Sequence, residues 1–361
     1  MKLTLKLLLF VCSFLLIAGC TSDKKADAYA VVKIGDRAGY INKSGKIIIN
    51  SQFDDANLFS EGFAAVSIGG EPGSIKGSFI NGKWGFIDEK GSYVINPQFN
   101  YASSFADGLA AVNIGGKWGF IDKKGNVVIA PQFDYANSFR EGLAAVSVGK
   151  EKYGFINKAG TFVIKPQFGY VESFSEGLAQ VFVDKKWGFI DKTGNVVIAP
   201  QFDYTNPFKE GLAAVSIGGK RHIKDGVLFG TKWGFIDKKG NYVIKPQFDY
   251  ACSFKDDVAV VSVGYIGAKF GFIDKKGTYI INPQFDNAYF FADGLAIVNI
   301  GGKWGFIDKA GAVVIKPQFD YANSFNEGLA SVAKNGKWGF IDKRGIYIIN
   351  PTFDDAGSFI K

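Results

Sequence analysis

A glycine, in most copies preceded by an aromatic residue, returns along this chain at a nearly constant interval, at positions 39, 85, 119, 154, 188, 234, 271, 305 and 339. The spacings are 46, 34, 35, 34, 46, 37, 34 and 34 residues, so nine copies repeat near a 34-residue period. A period of that length marks a repeat architecture, in which one unit cannot bury its apolar side alone and neighbours stack to do so. The preceding aromatic is Trp84, Trp118, Trp187, Trp233, Trp304 or Trp338, which together account for all 6 Trp. Tyr153 and Phe270 replace it in two copies, and Ala38 in the degenerate first one.

Within a unit the pattern is that of strands. Trp118-Gly119-Phe120-Ile121-Asp122 alternates, which puts Trp118 and Phe120 on one face. A strand glycine at a fixed place marks close approach by another backbone or ring. Lys123-Lys124-Gly125-Asn126 reads as a short loop, and Val127 to Ile129 as the returning strand. Pro131, recurring at 97, 166, 200, 246, 283, 317 and 351 with Ser51 in the first copy, is expected to end that strand. Phe133 to Phe139 reads as a short third segment, Glu141-Gly142 as a turn and Leu143 to Val146 as a fourth strand. No segment carries the 3.6-residue periodicity of an amphipathic helix. The 46 Gly and 35 Phe suit short strands joined by tight turns. The expectation is an all-β chain of about nine four-stranded units.

The two ends bear on closure. Ala30 to Gly35 matches the fourth strand of a unit, as in Ala145 to Gly149, and Phe359-Ile360-Lys361 stops just short of one. The N-terminal strand is therefore expected to complete the ninth unit and close a β-propeller-like ring, which leaves few exposed edges. Nine units exceed the usual four to eight, so an open β superhelix or solenoid is the alternative. The two 46-residue intervals lie four repeats apart, at residues 68–82 and 217–231. Both insertions fall between the Ala-Val strand and the next Trp strand, so they are expected to project from one rim.

Lys-Trp-Gly-Phe-Ile-Asp-Lys-x-Gly, followed by Ile-x-Pro-Gln-Phe-Asp-Tyr-Ala and Phe-x-Glu-Gly-Leu-Ala-x-Val, resembles the WG (or KWG) repeats of bacterial proteins. The likeness covers residues 30 to 361. It implies a β-rich repeat domain, often on secreted or lipid-anchored proteins, and supplies no catalytic residues. The first copy departs at Ala38 and Ser51, and the sixth at Asp257, where the others have the turn glycine.

The N-terminus reads as a targeting segment. Lys2 and Lys6 precede an apolar run from Leu7 to Ile17, too short to span a bilayer as a helix. Ile17-Ala18-Gly19-Cys20 resembles the lipobox of bacterial lipoproteins, which implies cleavage before Cys20 and acylation of its thiol. The expected organisation is a signal peptide at 1–19, a lipidated tether at 20–28 and the repeat domain at 29–361. The expected location is the bacterial cell envelope, anchored by lipid outside the cytoplasm; Thr21 and Ser22 lack the Asp that retains lipoproteins at an inner membrane, which points to an outer membrane where the host has one. The whole chain carries +8; without Lys2 and Lys6 the balance is 40 − 34 = +6, no case for nucleic acid outside the cytoplasm.

Site chemistry is sparse. Cys252 is the one thiol left beyond Cys20 and stands where Asn137 stands in its copy, so it reads as a tolerated replacement. The recurring Asp88, Asp122, Asp191, Asp237, Asp274, Asp308 and Asp342 precede Lys-x-Gly loops or their variants and are expected to bond local backbone donors rather than calcium. Glu141, Glu176, Glu210 and Glu327 take the same reading. No phosphate loop, nucleophile elbow or zinc spacing appears, so no cofactor, metal or enzyme activity is expected. The six Trp are expected to be core, each unit packing on its neighbour's glycine; the alternative is a solvent-facing column that stacks on sugars. The long insertions, with Ile75, Lys76, Phe79, Arg221, His222, Lys224 and Phe229, are the expected partner-contact loops. The reading is a non-catalytic scaffold that binds protein, with a carbohydrate or cell-wall glycan module as the alternative.

Overall fold

The computed structural model describes residues 28–74, 79–149, 152–221, 228–264 and 267–361, and of residues 220, 221, 228 and 229 the backbone alone. The expected signal segment, Cys20, and Ile75, Lys76, His222 and Lys224 lie outside the described residues, as do the side chains of Arg221 and Phe229. The chain forms nine four-stranded antiparallel sheets arranged as a nine-bladed β-propeller. Blades are numbered here from the one that contains residue 29.

Blade 4 shows the plan. Its strands are 135–136, 144–147, 153–156 and 162–168, paired in chain order. The first two meet through a two-residue turn: Arg140 N–H donates to Leu143 O at 2.8 Å, and Leu143 N–H returns the bond at 3.1 Å. Glu141 and Gly142 hold φ of 52° and 86°, the mirror-image turn whose twist matches the flanking strands. The fourth strand carries paired exposed residues near its start, as at Val127 and Val128 in blade 3, and forms the perimeter. The two-residue first strand lies at the opposite end of the sheet, toward the axis.

The perimeter strand overturns one expectation. Pro131 does not end it; the strand runs from Val127 to Phe133. Opposite it, Trp118 and Phe120 pair with Phe133 and Ile129, one intervening residue against three, so Ala130, Pro131 and Gln132 form a bulge over Gly119. Proline is tolerated there because an outer edge strand needs no donor at that point. The expected third segment is likewise divided: Phe133 closes blade 3, Asp134 crosses over, and Tyr135 opens blade 4. Each sequence repeat therefore straddles two blades.

That offset leaves the last blade short of strands, and the ends supply them. Residues 355–356 pair with 29–34, followed by 37–42 and 47–53, to make blade 1. Tyr29 and Ile360 exchange two backbone hydrogen bonds of 2.9 Å. The ring is closed; the open superhelix is not what forms.

The core consists of nine layers, one at each blade junction. Phe120 of blade 3 meets Phe139 of blade 4 with ring centroids 4.8 Å apart. The same pair recurs around the ring, from Phe86–Phe105 at 4.7 Å to Phe340–Phe359 at 4.8 Å across the closing junction. Tyr40–Phe59 takes its place at 4.9 Å between blades 1 and 2. Tilted aromatic pairs of this kind add about 1 kcal/mol each beyond area burial.

Candidate functional site

Strand order assigns the loops to two faces. The turns between first and second strands share one face with the loops between third and fourth, here called the turn face. The second-to-third connections and the crossovers between blades lie on the other. Both long insertions are second-to-third connections, in blades 2 and 6, and each extends into a two-stranded ribbon, 71–72 with 79–80 and 220–221 with 228–229. They project from one face, which we call the ribbon face.

On the turn face, carboxylates join each blade to the next. Glu141 accepts the Gly177 N–H at 3.1 Å and pairs with Lys192 at 3.1 Å, both in blade 5. Glu176 does the same with Gly211 and Lys238, and Glu61 with Gly108 and Lys123. Glu210 accepts from Asp256 N–H and Asp257 N–H, and Glu327 holds Lys43 and Lys361 at the closing junction. These acids sit in turns as expected, but their carboxylates act between blades rather than locally. The aspartates ahead of the Lys-x-Gly loops do bond locally: Asp122 Oδ1 accepts Lys124 N–H and Asn126 N–H, each at 2.9 Å.

A second set of clasps lies on the ribbon face. The lysine that precedes Trp reaches the Asp seventeen residues on, as Lys232 reaches Asp249 at 2.6 Å, and the same Asp accepts Gly264 N–H of the next blade at 2.7 Å. Lys186–Asp203, Lys269–Asp286, Lys303–Asp320 and Lys337–Asp354 repeat the arrangement. This constant spacing of 17 was visible in the sequence and is the signal that identifies the clasp. The turn-face partners, 34 or more residues apart, left no such mark.

In two of the ribbon-face clasps the contacts shift the acid downward. The Lys269 ammonium and the Gly301 N–H hold Asp286 below the ordinary carboxylate range, and Lys303 does the same for Asp320. The Thr193 hydroxyl lowers Asp191 to about 2. A carboxyl depressed in the folded state stabilises above its unfolded value, about 3.9, and that contribution disappears as pH falls toward the folded value. The melting temperature is therefore expected to hold steady from pH 8 to 5 and to fall between about pH 4 and 2. Thermal melts followed by Trp fluorescence test this; a melting point unchanged down to pH 2 would show that the clasps contribute nothing.

Next to the ribbon-face clasps runs a belt of aromatics. Trp84 and Tyr101 lie 5.1 Å apart across the junction of blades 2 and 3, and Tyr101 and Trp118 lie 5.5 Å apart within blade 3. Tyr135, Tyr153, Tyr170 and Trp187 continue at 5.8, 5.2 and 5.9 Å through blades 4 and 5. Among the six Trp only Trp84 is buried; the other five are half-buried at the ribbon-face edge of the core, and Tyr321 is 62% exposed. All six Trp belong to or pack against the core layers, as expected, but they line its ribbon-face edge, and the fully buried ring is the Phe two residues later. The packing on a neighbour's glycine is corrected. A Cβ on Gly119 would meet Ile129 O at 2.5 Å and Pro131 N at 2.7 Å, both in its own blade. Phe79, in the first ribbon, has the Arg37 guanidinium 4.5 Å above its ring. Cys252 is buried, its Sγ 3.1 Å from Tyr250 Oη.

A nine-bladed ring with acid clasps on both faces and a belt of half-buried Trp and Tyr on one defines a repeat propeller with two chemically different faces. The model of the WG containing repeat matches residues 39–71, 84–118, 118–151, 153–187, 187–220, 233–265, 270–304, 304–338 and 338–361, and the chain belongs to that family. No curated protein matches it by sequence. Among solved structures, dihydro-heme d1 dehydrogenase NirN is similar at 12% identity and a TM-score of 0.50, over 96% of this chain and 77% of that one. BamB from Moraxella catarrhalis is similar at 10% identity and a TM-score of 0.40, over 88% and 92%. At such identities the likeness shows the fold alone.

Proposed function

We propose that this propeller is a non-catalytic interaction scaffold whose ribbon face receives a protein partner. The carrying observation is the one-sided aromatic belt. Half-exposed Tyr and Trp are the side chains that supply most binding energy at protein interfaces, because they bury large area with little conformational entropy to lose. The ribbons rise from blades 2 and 6, on nearly opposite sides of the ring, and frame the belt.

Under the expected lipid anchor, the same face points away from the membrane. Strand 29–34 starts at the turn face, where Tyr29 pairs with Ile360 and Asn42. A tether of residues 21–28 spans at most ~28 Å when fully extended, so it holds the turn face toward the bilayer.

The test compares the soluble repeat domain with a copy whose insertions are shortened to the ordinary connection and a second copy carrying Tyr101→Ala and Tyr321→Ala. Each is used to capture protein from native envelope membranes. The expected result is a defined protein retained by the parent and lost from the belt variant. Retention of isolated cell-wall glycan by the parent, abolished by the belt substitutions, would instead establish the carbohydrate reading. That reading has its own support in the near-parallel pairs Tyr204–Trp233 at 13° and Tyr321–Trp338 at 20°.

A further inference from the structure

Comparing the nine blades with one another isolates blade 5. At the third residue of the first-strand segment, four blades have Asn (57, 137, 206 and 323), and others have Ser103, Cys252, Tyr289 or Gly357. Blade 5 alone has a carboxylate there, Glu172. In blades 6 and 9 the Asn joins two blades: Asn206 Nδ2 donates to Ala251 O of the next blade at 3.1 Å, and Asn323 Nδ2 donates to Ala356 O at 3.3 Å, whereas Asn137 Oδ1 accepts from Tyr135 Oη. A carboxylate has no proton to give. In blade 5 the bond comes from another residue, because Gln180, standing where four other blades have Ala, donates through Nε2 to Thr205 O at 2.7 Å. The junction is thus satisfied without position 172, and Glu172 is released from it.

The surroundings have changed in concert. At the preceding crossover Gly169 stands where seven junctions have Asp and one has Asn100, so the bulk of the clasp is missing beside Tyr170. Phe182 replaces the Ser or Asn found at Ser67, Asn113, Ser147, Ser216, Ser262 and Asn299, and packs against Trp187 at 5.2 Å. The rings of Tyr135, Tyr153 and Tyr170 meet edge to face, at 67° and 60°. Such an arrangement forms a corrugated wall, not the flat platform on which a sugar stacks. Glu172 is half-buried beside this wall: burial raises its pKa, the Tyr170 hydroxyl partly offsets that, and its charge is felt at both Tyr135 and Tyr170. Among the described residues it has no cationic partner within ion-pair distance. A partly desolvated carboxylate beside a cluster of tyrosine rings favours one class of ligand, a cation that gains from both.

We propose that Tyr135, Tyr153, Tyr170 and Glu172 form a binding cup for an organic cation, an ammonium or guanidinium group, such as a Lys or Arg side chain presented by a partner on the ribbon face. This deepens the docking reading by giving that face a charge-specific anchor at the boundary of blades 4 and 5.

The test uses blocked single residues as probes: N-acetyl-lysine methylamide and N-acetyl-arginine methylamide, with the norleucine and citrulline analogues as uncharged controls. Binding is read by saturation-transfer NMR on the soluble domain. The expected result is saturable binding of the charged probes, at least tenfold weaker binding in Glu172→Gln and in Tyr153→Leu, and no saturation by the controls. Free choline in a parallel arm separates sources: equal affinity would indicate a small free cation, and weaker binding a side chain. The Gln variant keeps the shape and should melt with the parent, so loss of binding cannot be assigned to unfolding. Binding that is unchanged in Glu172→Gln, or equal for norleucine and lysine probes, would overturn the proposal. A membrane protein captured equally by parent and Glu172→Gln would leave the docking surface standing and remove the cup.

Discussion

Gly119→Ala is expected to destabilise the protein by about 3 kcal/mol, the upper end of what forced overpacking costs. The added methyl would lie within 3.0 Å of three backbone atoms of the bulged strand, Ile129 O, Pro131 N and Ala130 C. Backbone cannot swing aside as a side chain tip can, so the strand must lift away, and with it Ile129, which is buried in the layer shared with blade 4. Gly142→Ala is the matched control. It has the same φ problem as any left-handed residue, 86°, but nothing lies within 4 Å of its Cβ position. It should lose only the backbone term, about 1 kcal/mol. Urea denaturation followed by Trp fluorescence measures both, and equal losses would show that close approach is not what keeps glycine after Trp.

The same pair of positions shows how far the sequence could be read. The Gly after Trp announced a close approach, and the approach exists. Its partner was misassigned because a bulge leaves no mark in residue type beyond Pro131, which also serves as a strand stop. The offset between repeat and blade was legible at the ends, where Ala30 to Gly35 resembled a strand in need of a unit. Strand number and the common face of the two insertions followed from the repeat pattern, and closure followed from the complementary ends. The roles of Glu141 and its equivalents did not, since a carboxylate in a turn looks the same whether it bonds its own loop or the next blade's. Glu172 was overlooked for a related reason: an isolated Glu among strands looks like surface. It stands out only when the nine blades are superposed and the bond that Asn makes in blades 6 and 9 is found coming from Gln180. Trp was read as core from its two-residue spacing to Phe, and spacing assigns a face of the strand but not a depth along it.

Removing residues 354–361 is expected to have the largest effect of any small change to this chain. The deletion takes away the first strand of blade 1 and with it four backbone hydrogen bonds, Asp354 N–H to Lys33 O, Gly357 N–H to Val31 O and the exchanged pair between Tyr29 and Ile360. It also removes Phe359, fully buried against Phe340, and the Asp354 clasp to Lys337. Loss of one buried Phe ring costs about 3–5 kcal/mol, and each unmade backbone bond about 1 more. The sum reaches the ~5–15 kcal/mol that separates a typical folded domain from its unfolded chain. Strand 29–34 would then be an open edge with Ala30 and Val32 uncovered, a template for pairing with another molecule. The truncated chain is expected to aggregate, or to melt more than about 15 °C below the parent, and a synthetic peptide of residues 352–361 should restore the monomer by adding the missing strand. A circular permutant separates strand loss from altered chain order. Because Tyr29 and Ile360 are paired neighbours, residue 361 can be joined to residue 28 by a short Gly-Ser link and the chain reopened between Gly115 and Gly116, an exposed turn. Every native contact of blade 1 is kept, so this permutant should melt within a few degrees of the parent. If it unfolded as readily as the truncation, stability would depend on where the chain begins and not on the closing strand.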